Sequence, residues 1–204
     1  MLLSNALISA FVNLVVLAGL PFLGYAAYQR WRHKRSLADS ARRAGLRLGK
    51  PRYLLYALGF ALVGAIALLI WPPPMEIYLR KGSAFRVFGG LGFTPASALM
   101  ALLYGLIQTG FSEEFLFRGL IAGSLFRRLP TLWANLIQAA IFLIPHVPLL
   151  FLMPKMAYLL PVIYLGALVV GWLRAKSGSI VGPWLIHGTL NLTVCLSVAV
   201  RSAA

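Results

Sequence analysis

Long apolar runs, separated by short basic or proline-rich breaks, dominate the chain, and their lengths predict helices. The first run covers residues 5–28 and gives way to a basic segment at 30–52. A second, 53–71, is stopped by Pro72-Pro73-Pro74, which cannot continue a helix. Residues 75–92 form a mixed connector that carries Arg80, Lys81 and Arg86 and closes on Gly89-Gly90-Leu91-Gly92. Thr94-Pro95 then has the form of an N-cap followed by proline at the first helical position. The third run continues to about residue 126. As one helix it would be about 48 Å long, against a hydrocarbon core of about 30 Å. It is therefore expected to tilt, to protrude, or to break near Gly110.

Arg127-Arg128-Leu129-Pro130 makes a tight basic turn, and a fourth run, 131–147, is closed by Pro148. A fifth, 156–173, ends at Arg174 and Lys176, and a short Ser177-Gly178-Ser179 turn leads into the sixth, 180–200. A helical span needs roughly 20 apolar residues. The fold class expected is all-α, a polytopic membrane helix bundle of about six transmembrane helices. Residues 1–92 form a two-span N-terminal region with its basic loop, and residues 93–201 a four-helix core. No internal repeat is visible.

Composition strengthens this picture. The chain is 60% hydrophobic with mean hydropathy +0.84, where soluble domains run at roughly 45–50% apolar. A net charge of +15 raises nucleic acid as a partner, but nine of the nineteen Lys and Arg residues fall within 30–52. A basic segment abutting a span is a topology determinant that contacts anionic lipid headgroups. No aromatic-interleaved basic fold accompanies it, so nucleic acid is not expected. With 30–52 cytoplasmic, alternation puts Arg127-Arg128 and Arg174 with Lys176 on the same side. Arg80, Lys81 and Arg86 dissent. A multi-pass protein of the cell membrane is expected. Positive charges follow the first run rather than precede it, the reverse of a cleavable signal peptide, so that run is expected to stay as a helix. The lone Cys195 excludes an intrachain disulfide.

The rare polar residues inside the apolar runs carry the candidate chemistry. Acids are scarce: Asp39 and Glu76 apart, only the adjacent Glu113 and Glu114 remain. A charged side chain at the centre of a membrane helix costs at least about 2.5–3.5 kcal/mol, so two together call for a function. Counted along helices from the inner basic markers, Glu113, His146 and Asn191 each lie about 22 Å deep and His187 about 16 Å. Separate helices thus bring their polar groups to a similar level, which points to one shared site.

Spacing sorts the roles. Glu114 and Arg118 are four apart and can pair, as a structural ion pair or beside the chemistry. Glu113 lies about 100° around the helix, available to another partner. His187 and Asn191 project together, as do Phe142 and His146, an aromatic wall one turn below an imidazole. Cys195, four beyond Asn191, falls on the same side, though no electropositive group marks it as a nucleophile. Neither Ser124 nor Ser179 stands in a nucleophile motif.

A carboxylate and an imidazole that converge can hold and deprotonate water, and burial moves the carboxyl toward the range of a general base. A second imidazole and an amide can donate to the oxyanion of a tetrahedral intermediate. Glu113, His146 and His187 would equally make a catalytic zinc set with an open position. The metal-free and metal-assisted schemes both stay open.

Glu113-Glu114-Phe-Leu-Phe-Arg118 resembles the E-E-x-x-x-R motif of the CAAX-protease and bacteriocin-processing family of intramembrane endopeptidases. Phe142-Leu-Ile-Pro-His146 fits its F-x-x-x-H motif and His187-Gly-Thr-Leu-Asn191 its H-x-x-x-N motif, all in the family's order. The resemblance implies Glu113 as the water-activating base assisted by His146. It implies oxyanion stabilisation by His187 and Asn191, support from Glu114, Arg118 and Phe142, and a membrane-associated protein or peptide tail as substrate. Two other functions share the same features: a non-catalytic immunity or scaffold protein of this fold, and an ion-coupled transporter. The complete motif set weighs against the first, and the lack of paired inverted repeats against the second.

Overall fold

Each apolar run forms a helix, for local reasons visible in the sequence. The computed structural model describes residues 1–152, 154 and 157–203, is 80% helical, and has no strand among those residues. Helix α1 is Leu2–His33, α2 Leu37–Arg43, α3 Pro51–Ile70 and α4 Met75–Leu79; α5 occupies residues 95–125. Then follow α6, Thr131–Leu143, α7, Leu149–Leu152, α8, Leu159–Ser177, and α9, Val181–Arg201. Among the described residues, α1, α3, α8 and α9 are long and apolar enough to cross a membrane, and Thr131–His146 is a shorter apolar helix. The protein is an all-α polytopic membrane helix bundle.

The ends of these helices follow capping chemistry. Thr94 and Ser97 satisfy each other's backbone N–H groups at the start of α5, with Pro95 at the first position. Pro72 begins the break after α3. Gly178, at φ 73°, takes the left-handed cap of α8 and donates its N–H to the Arg174 carbonyl. One expectation needs correction. The basic segment 30–52 is not all loop: α1 runs on to His33, and α2 forms because Ser36 accepts from the Asp39 N–H at its start. The fifth run begins its described helix at Leu159, and its expected start, Met156, lies outside the described residues.

The long third run does not break at Gly110. Helix α5 is continuous but widens into two π-helical stretches, Leu103–Phe111 and Phe115–Ala122, with Ser112–Glu114 between them in α conformation. Hydroxyls follow the wider turn, since Thr109 donates to the Tyr104 carbonyl and Ser112 to the Ile107 carbonyl, each five residues back. Such π turns are rare and gather at functional sites.

The chain forms two compact units. The first comprises Met1–Gly19, Tyr56–Glu113 and Trp184–Ala204. Its core joins Phe88, Met100 and Ala101 to Val194, Cys195 and Val198. Cys195 is fully buried there, so it does not border an open cavity. Within this unit α5 and α9 approach at glycines. A Cβ on Gly105 would lie 2.8 Å from both the Gly188 carbonyl oxygen and the Leu192 nitrogen. Small residues at such a crossing let backbones meet where lipid supplies no hydrophobic drive.

The second unit comprises Leu20–Leu55 and Glu114–Pro183. Here α6 packs on α8 around Ala139, Phe142 and Ala167. Buried amides reinforce the contact: Gln138 donates to the Ala167 carbonyl at 2.8 Å and Asn135 to the Leu168 carbonyl at 3.0 Å. The basic segment is tied down as well, with the Ile180 N–H donating to the Gly45 carbonyl and Arg47 Nε to that of Gly178.

Gly105→Val should lower thermal stability in detergent by about 1–3 kcal/mol, because the added atoms meet backbone that cannot move aside. Gly166→Ala, with nothing within 4 Å of the added carbon, should leave the melting temperature unchanged or raise it. Equal melting of the two variants would contradict the close crossing.

Candidate active site

The two adjacent acids meet different fates. Glu114 belongs to the second unit, where its Oε1 accepts from Arg118 Nη1 at 2.9 Å with both side chains 1% exposed. The guanidinium also lies over the Phe142 ring, 3.9 Å from its centroid, a cation–π contact strengthened by the absence of water. Phe117 meets the same ring edge-on at 5.0 Å. The pair is therefore sealed between helix and aromatic wall, which suits a positioning role better than proton traffic.

The same ring leads to His146. Pro145 turns the end of α6 into a short 3-10 stretch, Ile144–His146, and the imidazole sits 5.1 Å from the Phe142 ring, centroid to centroid. Its Nδ1 is 3.0 Å from the Phe142 carbonyl oxygen. A carbonyl only accepts, so Nδ1 carries the proton and Nε2 is the basic nitrogen of the neutral ring. Arg174 of α8 donates from Nε to the Arg118 carbonyl at 3.0 Å, bracing the second π stretch.

Glu113 belongs to the first unit and is 25% exposed, with Oε2 3.9 Å from Nε2 of His187, itself 18% exposed. That separation is too long for a direct hydrogen bond. The gap has the width that one bridging water, about 2.8 Å from each atom, would span. One turn away, Asn191 Nδ2 donates to Thr109 Oγ1 at 2.8 Å. Thr109 spends its own proton on the Tyr104 carbonyl, which fixes the direction of the amide. Glu113 and Thr109 on α5 thus face His187 and Asn191 on α9 as two rungs of an antiparallel ladder. The glycine crossing draws the helices close enough for both. Trp184 Nε1 donates to the Leu106 carbonyl at 2.7 Å and its ring meets Phe111, holding the start of α9.

The structure brings Glu113, His187 and Asn191 together in one unit and Glu114, Arg118, Phe142 and His146 in the other. Two contributors escaped the sequence reading. Thr109 was signalled only by lying four residues before Glu113. Arg174, read as a topology marker, gave no sign that it turns inward. Among the described residues no three His, Cys, Asp or Glu side chains form a group able to hold a metal ion.

Residues 94–193 match the family model described as type II CAAX prenyl endopeptidase Rce1-like. Over that segment, about half of its length, the chain is similar to this family. The matched segment starts at the Thr94 cap and ends just past Asn191, so it contains all three motifs and both rungs of the ladder. The similarity supports a CAAX intramembrane endopeptidase at the family level. No curated protein and no solved structure matches the chain.

Glu114→Ala takes the buried Arg118 guanidinium's carboxylate away and should cost about 3–5 kcal/mol of stability, read as a lower denaturation midpoint. Adding Arg118→Met should recover part of that loss. A double variant no more stable than Glu114→Ala would contradict a sealed charge pair.

Proposed function

We propose that this Rce1-like protein hydrolyses a peptide bond in a membrane-associated protein or peptide tail by attack of an activated water. Glu113 takes a proton from the water as its oxygen attacks the scissile carbonyl carbon. His146 assists through its basic Nε2. The oxyanion that forms accepts hydrogen bonds from His187 and the Asn191 amide. Collapse of the tetrahedral intermediate breaks the C–N bond, and the proton held by Glu113 passes to the departing amine. Glu114 and Arg118 keep the helix between the two π stretches in register and take no proton.

The Glu113–His187 pair carries this reading. A partly exposed carboxylate on a membrane helix, 3.9 Å from an imidazole, supports a role in proton transfer. The fully buried pair beside it in the sequence supplies the contrast. The protein is proposed to be multi-pass in the cell membrane with residues 30–52 on the cytoplasmic side, which places the substrate tail at the bilayer.

The test is cleavage in liposomes of a fluorogenic peptide carrying a C-terminal CAAX sequence, in farnesylated and unlipidated forms. Glu113→Gln and His146→Ala should each lower kcat by on the order of 10²–10⁴-fold. Asn191→Ala should lower it by on the order of 10²–10³-fold. All three should insert and fold as wild type does. Near-normal turnover by Glu113→Gln would remove the base and with it the mechanism.

A further inference from the structure

A second concentration of polar groups lies in the second unit, lined by none of Glu113, His146, His187 and Asn191. Two adjoining cavities of about 300 and 600 Å³ share Arg35, Arg43 and Arg127 in their walls, and the larger also takes Arg174. These arginines come from separate segments: Arg43 ends α2, Arg127 follows α5, and Arg174 stands in the last turn of α8. Tyr25 and Tyr28, near the end of α1, line the smaller cavity.

One carboxylate, Asp39, lines the larger cavity, and it is engaged by Arg42; among the described residues the charges of Arg43, Arg127 and Arg174 are met only by neutral groups. Arg127 donates to Tyr25 Oη at 3.3 Å and Ser124 Oγ at 3.1 Å, and Arg174 Nη2 to the Arg43 carbonyl at 3.1 Å. Every one of those acceptors is neutral. The whole sequence has four acids. Asp39 is held by Arg42 at 2.6 Å on an exposed rim, Glu114 is held by Arg118, and Glu76 and Glu113 belong to the first unit. Among the described residues no carboxylate pairs with Arg43, Arg127 or Arg174. Arg43 Nε is buried without a hydrogen-bond partner. Burial first, then the charges of Arg43, Arg128 and Arg35, pull the Arg127 guanidinium below its ordinary value. Crowded, partly desolvated cations of this kind are costly until an anion joins them.

We propose that this arginine-lined cavity binds a phosphate group, that of an anionic phospholipid headgroup. Guanidinium forks match phosphate oxygens two at a time, and convergent arginines from three segments can surround one phosphate. Helices α1 and α8 are long and apolar enough to cross a membrane, and Arg35 just beyond α1 and Arg174 in the last turn of α8 stand at their basic ends, where headgroups would meet them. Basic pockets between transmembrane helices are suited to anionic headgroups. The site does not depend on the hydrolytic reading, since none of Glu113, His146, His187 and Asn191 lines it; Arg174 alone reaches toward that region, through its bond to the Arg118 carbonyl.

The experiment uses the full chain in neutral detergent, with thermal unfolding followed as phosphatidylglycerol, phosphatidylcholine or inorganic phosphate is added. Phosphatidylglycerol should raise the melting temperature and phosphatidylcholine should not. In Arg43→Gln/Arg127→Gln the phosphatidylglycerol concentration for half the shift should rise at least tenfold, while Arg201→Gln, in the first unit, should behave as wild type. Stabilisation by millimolar inorganic phosphate as well supports the phosphate site. Inorganic phosphate acting where phosphatidylglycerol does not overturns the lipid source. An equal phosphatidylglycerol shift in wild type and double variant, or none in wild type, overturns the site.

Should the double variant not fold, wild type alone decides. Native mass spectrometry from equimolar phosphatidylglycerol and phosphatidylcholine nanodiscs should show phosphatidylglycerol retained at least tenfold over phosphatidylcholine. Retention in the mixing ratio overturns the proposal.

Discussion

Charge inside a low-dielectric bundle must be answered locally, and that constraint organises the polar interior of this protein. It acts on two neighbouring carboxylates with opposite results. Glu114 is closed off with Arg118 under the Phe142 ring, where removing either partner strands the other. Glu113 instead retains access and stands a water's breadth from His187. A sealed pair can lock a helix but has no route for a proton. An open one has that route.

The π turns of α5 set the frame for this difference. Thr109 and Ser112 bind carbonyls five residues back, and the short α stretch at 112–114 presents both acids between the two wide segments. Because Gly105 meets Gly188 and Leu192 at backbone contact, the side chains of Thr109 and Glu113 come within reach of Asn191 and His187 on α9. Asn191 is then oriented by Thr109, and Thr109 by the Tyr104 carbonyl. Each rung of the ladder depends on the crossing, so a change at a glycine distant from the chemistry can disturb the site.

Much of this was legible in the chain. Thr94-Pro95 marked the start of α5 and Pro72-Pro73-Pro74 the end of α3, because caps and proline act through local backbone chemistry. The four-residue spacing of Glu114 and Arg118 foretold their pair. What spacing could not reveal was the widening of α5, since π turns rest on hydroxyl-to-carbonyl bonds and on packing against distant helices rather than on any hydrophobic period. Helix α2 was hidden by its charge, although Ser36 and Asp39 carried a capping signal. No spacing or motif marks the amides of Asn135 and Gln138 within their apolar run, and only tertiary structure shows them holding α6 to α8.

The most direct check on the central claim is a double-mutant cycle for peptide cleavage with Glu113→Gln and His187→Asn. Residues that act as a unit in one hydrolytic step, base and oxyanion donor, lose their effect together, so the double variant should be no slower than the slower single variant. Losses that multiply fully would contradict a shared site, because the two side chains would then contribute independently to turnover.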